Sequence, residues 1–338
     1  MAPLSIGSDA AGSVRIPASF CTISSIKVSF QAFVKFTVKS KPTVSVVPHA
    51  PASPFGTMAN VGPMALTIRD AALFLDVIGQ PHPWDPLSSY PTDKKRKFSS
   101  ELNEGVKGLR IALNFSLSPY CDPKVEQSIR KAAKVFEEMG ATVEEIEQLP
   151  YQNDSTLDVY GSFKTLWCTG GATVISKRIQ PNYEHLVDEN LRDVAQKGRQ
   201  FTSVDLMSAE MTRTTMTASM NQHFFTKYDV LITPTLPITP FSAELETTPD
   251  ELVIDKLCGG SVGKSPFFDK EFDRKRWWLF CAYTFPMNMM KLPAASVPSD
   301  DFIGLHIVGP THGESLVLRV ANAFQEHTNH VPQIADYE

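Results

Sequence analysis

The longest alternation of apolar and polar positions runs from Val28 to Lys39. Val28, Phe30, Ala32, Val34, Phe36 and Val38 fall on one set of positions, and Ser29, Gln31, Phe33, Lys35, Thr37 and Lys39 on the other. A period of two sends successive side chains to opposite faces, so this stretch predicts a strand with one apolar side. Elsewhere the period is helical. From Thr67 the residues Ile68, Ala71, Ala72, Leu75 and Ile78 recur at helical steps, with Asp70 in the first turn, where the helix dipole favours an acid. A second helix opens at Asp122-Pro123, a cap followed by a proline whose missing N–H costs nothing there. It carries Val125, Ile129, Ala132, Phe136 and Met139 on one face and stops at Gly140. Strand candidates at 108–113 and 142–146 flank it, and this β–α–β order predicts a crossover in a largely parallel sheet.

Residues 1–20 read as a short buried strand, a glycine-containing turn and an Ile16-Pro17-Ala18 exit. Pro48, Pro51, Pro54 and Gly56 punctuate a loop, and residues 79–106, rich in Pro, Ser, Lys and Asp, read as a long surface connection. A helical region spans about 155–225 with breaks at Pro181 and Gly198. Strands follow at 229–233 and 305–309, and a last helix carries Leu316, Val317, Val320, Ala321 and Phe324. The class is α/β.

Composition narrows the function more by exclusion. The 338 residues are 42% hydrophobic and 20% charged, enough to bury a large core. A dispersed net charge of −5 excludes a nucleic-acid groove and a polybasic membrane patch. Five cysteines, widely spaced and never C-x-x-C, favour free thiols in a reducing compartment, so a cytoplasmic location is expected. No apolar run reaches the roughly 18–20 residues that span a bilayer, and no signal peptide is read at the start. The eight histidines show no ligand spacing, and neither metal nor cofactor is expected.

Candidate chemistry lies at the start, in Gly7-Ser8-Asp9-Ala10-Ala11-Gly12-Ser13-Val14-Arg15-Ile16-Pro17-Ala18. Ser13 follows small residues that let backbone N–H groups crowd together, with an acid and an arginine close by. Serine nucleophiles need such an arrangement, because tightly turned amides can stabilise a developing oxyanion. The run resembles the nucleophile segment of the amidase signature family, the Ser-Ser-Lys hydrolases that cleave carboxamides. Further matches follow in order: Ser53-Pro54-Phe55-Gly56-Thr57-Met58 with Val61-Gly62-Pro63-Met64, the helix from Asp70, Thr233-Pro234-Thr235-Leu236-Pro237, Pro293 to Pro298, and Gly304 to Gly309.

The resemblance implies a large, mixed, mostly parallel twisted sheet covered by helices, and hydrolysis of a small-molecule amide through an acyl-enzyme. Ser13 would attack; the backbone N–H groups of Ala10, Ala11, Gly12 and Ser13 would form the oxyanion hole; Asp9 and Arg15 would hold the loop's shape. Ala11 stands where the family often has glycine. The family's lysine and bridging serine would lie before residue 1, so residues 1–338 are expected to form one partial domain with impaired chemistry. Val28 to Lys41 has no place in the family pattern, since Ile26-Lys27 would join Pro42-Thr43 directly. It reads as a translated intron or an inserted ribbon and is expected to add nothing to the core. Two alternatives to an amidase stay open: the A subunit of a glutamine-dependent tRNA amidotransferase, which would need companion subunits and ATP, and an inactive fragment. A homodimer is also left open.

Three further features have plainer readings. Cys258 to Ser265 mixes Gly, Ser and Lys but misses the first glycine of a phosphate loop, so a surface turn is expected. Trp277, Trp278, Phe280, Tyr283, Phe285, Met287, Met289 and Met290 read as core, with a pocket role as second choice. Asp85 and Asp122 look like loop or cap residues.

Overall fold

Short apolar strands interleaved with amphipathic helices need a layered fold, because each strand must bury both faces. The computed structural model describes residues 3–29, 46–80, 82–85, 97–242 and 251–329. Among them eight strands form one sheet: β1 (Leu4–Asp9), β2 (Ser24–Lys27), β3 (Asn60–Ala65), β4 (Arg110–Leu113), β5 (Thr142–Glu145), β6 (Val230–Pro234), β7 (Ala294–Asp300) and β8 (Ile303–Val308). Their spatial order is β1-β3-β2-β7-β8-β6-β4-β5.

The mixed, helix-covered sheet agrees with the expected class, but its parallel part is smaller than expected. β4 pairs in parallel with β5 and β6, and the other five pairings are antiparallel. The reason lies in the connections. The helix α3 (Pro123–Glu138) carries the chain back between β4 and β5, as the pattern predicted. A tight reversal at Asp301 and Phe302 instead joins β7 to β8, and β1 and β2 flank β3 on opposite sides.

Alternation along the strands sorts the core into two layers. Ile111, Leu113, Val230, Ile232, Ala295, Val297, Leu305 and Ile307 belong to one cluster, with α2 (Ile68–Ile78), α3 and the C-terminal helix Glu314–Thr328. Ala112, Leu231 and Ala294 belong to the other, with α4 (Val159–Arg178), α6 (Ser203–Ser219) and the buried segment around Trp278, Phe285 and Met287. Each fully buried Leu, Ile or Phe contributes roughly 1.5–3 kcal/mol. The helix starts follow sequence signals: Thr67 and Asp122 accept from Asp70 N and Lys124 N. The long helical region breaks after α4 and again after α5 (Glu189–Gly198), near Pro181 and Gly198 as expected.

Several expectations need correction. β1 is an edge strand with Leu4 and Ile6 exposed, because its outer side meets no described strand. Its exit is the helix α1 (Arg15–Phe20), which tolerates Pro17 in the first turn, where no backbone donor is needed. The connection 79–106 is not all surface: Phe98, Leu102 and Val106 are buried, and Asn322 Nδ2 of the C-terminal helix donates to Leu102 O at 3.3 Å. Lys and Ser around them mask three apolar anchors. Residues 258–265 contain the helical turn Gly260–Lys264 instead of an open loop. The alternating stretch from residue 30 to 41 lies outside the described residues. Val28 and Ser29, where the apparent insertion begins, do join the core, however. Val28 packs in the first cluster, while Ser29 N donates to Glu314 Oε1 at 2.7 Å and Ser29 Oγ accepts from His312 N at 3.1 Å.

Candidate active site

β1 ends at Asp9, opposite Asn60 of β3, and the chain turns through residues 10–14 into α1. Ala11 is fully buried in this turn and Ser13 is exposed at it. Gly12 sits at φ +129°, and a Cβ there would meet Thr284 Oγ1 at 2.6 Å and Ile16 Cδ1 at 2.7 Å. Both the backbone angle and the space therefore demand glycine. Thr284 Oγ1 in turn donates to Ala11 O at 2.7 Å.

Val14, the N-cap of α1, has no side chain to receive the helix's first amides. Asp9 does so from the strand end: Oδ1 accepts from Gly12 N at 2.7 Å and Oδ2 from Val14 N at 3.3 Å. The Gly12 N–H, expected among the oxyanion donors, is thus engaged by Asp9. Arg15 closes the loop with two bonds to the same carboxylate, Nε to Oδ2 at 2.9 Å and Nη2 to Oδ1 at 3.0 Å. Its Nη1 donates to Thr284 O at 3.2 Å and meets His306 Nε2 at 2.9 Å, and Nη2 also donates to Asn288 Oδ1. Asn288 Nδ2 reaches Asp9 Oδ1 and Asp9 O, both at 2.9 Å, and Met58 O at 3.1 Å.

All of these groups are buried, so their charges interact without screening by water. Burial pushes the Asp9 carboxyl up, but the Arg15 charge and the hydrogen bonds from Arg15 and Asn288 outweigh it and hold the group at about 2. Burial, together with the like charge of Arg15, holds His306 well below its ordinary value. Lys27 is lowered to about 7, mainly by burial and then by Arg15, against the opposing pull of Asp9 and Glu314. Its Nζ donates to Val28 O at 3.2 Å.

Thr284, Asn288 and His306 are the residues that sequence reading missed as parts of this loop. The signal for His306 was a polar residue at an alternate position of a buried strand. Ser25, Ser296, His306 and Thr233 stand directly opposite one another across β2, β7, β8 and β6. Within this buried row α1 supplies Arg15 as the partner of His306, while Ser296 bonds Thr235 and Thr233 bonds His306 and Pro234 O. Thr284 and Asn288 looked like ordinary members of an aromatic and methionine core. The neighbouring residues Ala282, Phe285 and Pro286 line a cleft of about 390 Å³ that also includes Tyr151, Asp158 and Tyr160. Among the described residues no group of three or more His, Cys, Asp or Glu could hold a metal ion. Nor is any described helix long and apolar enough to cross a membrane.

A family model described as Amidase matches residues 1–318. An acylamidase of Rhodococcus erythropolis is 30% identical over 333 residues, covering 96% of this chain and 61% of its own length. The A subunit of a glutamyl-tRNA(Gln) amidotransferase of Methanococcoides burtonii is 26% identical over 356 residues, covering 97% of this chain and 65% of its own. The crystal structure of a bacterial aryl acylamidase of the amidase signature enzymes superposes with a TM-score of 0.70 at 24% identity. That likeness, which concerns the fold, covers 97% of this chain and 63% of the other. The chain thus spans less than two thirds of the length of each of these relatives.

Proposed function

Since the chain belongs to the amidase family, we propose that it carries the nucleophile of a serine hydrolase that cleaves a carboxamide C–N bond through an acyl-enzyme. The observation that carries this reading is the turn itself. Ser13 is exposed beside a left-handed Gly12, on a loop fastened from beneath by the buried Asp9 and Arg15. Ser13 Oγ loses its proton to a base and bonds to the acyl carbon; the C–N bond breaks and the amine leaves with a proton. Water then hydrolyses the ester and restores the hydroxyl.

The proposed oxyanion donors are the backbone N–H groups of Ala10, Ala11 and Ser13, since Gly12 N–H bonds Asp9 Oδ1 at 2.7 Å. The cleft lined by Ala282, Phe285 and Pro286 is the proposed acyl site, because residue 284 between them bonds Ala11 O. The lysine and bridging serine that the family resemblance implies have no match within residues 1–338, so these residues alone are expected to turn over amides slowly. The 26% identity to an amidotransferase A subunit over 97% of this chain supports a second reading, transfer chemistry within a larger complex.

A fluorophosphonate probe with adduct mapping by mass spectrometry tests the assignment. Labelling is expected on Ser13 and lost in Ser13→Ala. An adduct on another serine, or labelling unchanged in that variant, overturns it.

A further inference from the structure

We infer that His306 is a positioning residue for the Ser13 loop, holding Arg15 through an imidazole that must stay neutral with its proton on Nδ1. Its positioning role rests on the assignment of Ser13 as nucleophile. The tautomer follows from donor counting. A guanidinium only donates, so His306 Nε2, 2.9 Å from Arg15 Nη1, must accept. The imidazole proton is then on Nδ1, 3.2 Å from Thr233 Oγ1, which donates its own proton to Pro234 O at 2.8 Å. Hydrogen bonds therefore run in one direction, from the loop's arginine through β8 into β6.

A second proton on His306 would set N–H against N–H and place a new cation beside an existing one. The groups that bear on it are Arg15 of α1 and Lys27 of β2, which oppose that charge, and Asp9 of β1, which favours it. Its cross-strand neighbours Ser296 and Thr233 are neutral. Protonation therefore accompanies release of Arg15 and opening of the loop. In the open loop the imidazole would titrate near its ordinary value of about 6.5, so opening becomes up to about tenfold more favourable for each pH unit below that. Asp9 adds its own dependence only below its ordinary value of 3.8 and Lys27 only from about 7 upward, which leaves a window between them in which His306 acts alone.

Hydrogen exchange of residues 7–20 in the 1–338 chain, corrected for intrinsic rates, reads this opening between about pH 4.5 and 7. The wild type is expected to open up to about tenfold more per unit below about pH 6.5. His306→Gln, whose carbonyl accepts from Arg15 and takes up no proton, should stay protected with a flat profile. His306→Leu should be open already at pH 7. A His306→Gln profile as steep as the wild type, or His306→Leu as protected as the wild type at pH 7, overturns the inference. So does ¹⁵N NMR of the wild-type imidazole showing the proton on Nε2, whichever variants fold. Ser13→Ala should leave the exchange profile unchanged. Failure of the probe to label Ser13 would then sink the nucleophile assignment and leave the His306–Arg15 closure standing.

Discussion

Asp9 and Arg15, six residues apart, meet in a two-pronged ion pair with both side chains fully buried. The same carboxylate receives the amides of Gly12 and Val14, so one group fixes the strand end, the turn and the start of α1. Local sequence spacing brings the pair together, and distant residues keep it dry.

Removing one member leaves the other charged and unpaired. Arg15→Met is expected to cost about 3–5 kcal/mol by urea unfolding. Arg15→Lys should rescue little of this, because an ammonium makes no fork with the carboxylate. Wild-type stability in either variant would show that the pair is dispensable.

Two buried groups make stability depend on pH in opposite ranges. Asp9, held at about 2 in the fold against an ordinary 3.8, contributes roughly 2 kcal/mol that is present above about pH 4 and lost as pH falls toward 2. Lys27, at about 7 against 10.5, is a base that the unfolded chain protonates more readily. Its contribution therefore rises with pH from about 7 upward, until the buried thiols begin to oppose it near their ordinary 9.0. Lys27→Met should raise the unfolding free energy at pH 7 by about 1–4 kcal/mol and flatten the rise between pH 7 and 8.5. A slope unchanged by the substitution would assign it to another group.

Gly12→Ala forces a Cβ to within 2.6 Å of Thr284 Oγ1 at a φ of +129°. The variant is expected to lose at least about 2 kcal/mol. It should also lose probe labelling at Ser13, even under conditions where most of the chain is folded. Normal labelling would mean that the turn relaxes without moving the serine.

Phe98→Ala and Leu102→Ala should each cost about 2–5 kcal/mol in thermal or urea unfolding, the range for large buried side chains. Changes within ±0.5 kcal/mol, usual for surface positions, would return residues 98–106 to the surface.

Helices with strong caps and one apolar stripe were legible from sequence to within a few residues, as at Thr67 and Asp122. Of the eight strands, β1, β4, β5, β6 and β8 were legible too, whereas β2, β3 and β7 were not read as strands. Strand direction was not legible, because β2, β3, β7 and β8 carry no period that distinguishes parallel from antiparallel neighbours. Asp9, Arg15 and Ser13 stood out because they are packed into one short run. Thr284, Asn288 and His306 did not, because their roles come from registers and contacts that close over nearly the whole chain. Phe98 and Leu102 were hidden by flanking polar residues whose composition says nothing of the side facing the core.

The fastening of the loop has a consequence for how the protein is made. Arg15 bonds partners 269 and 291 residues further on, and Asp9 one 279 residues further on. Ser13 therefore leaves the ribosome well ahead of the groups that hold its turn, which are synthesised 269 to 291 residues after Asp9 and Arg15. Pairings so distant in sequence form slowly and late. Until those residues follow, Ser13 lies on an unanchored segment, and a chain stopped before residue 284 would carry the serine without the distant partners that fix its geometry.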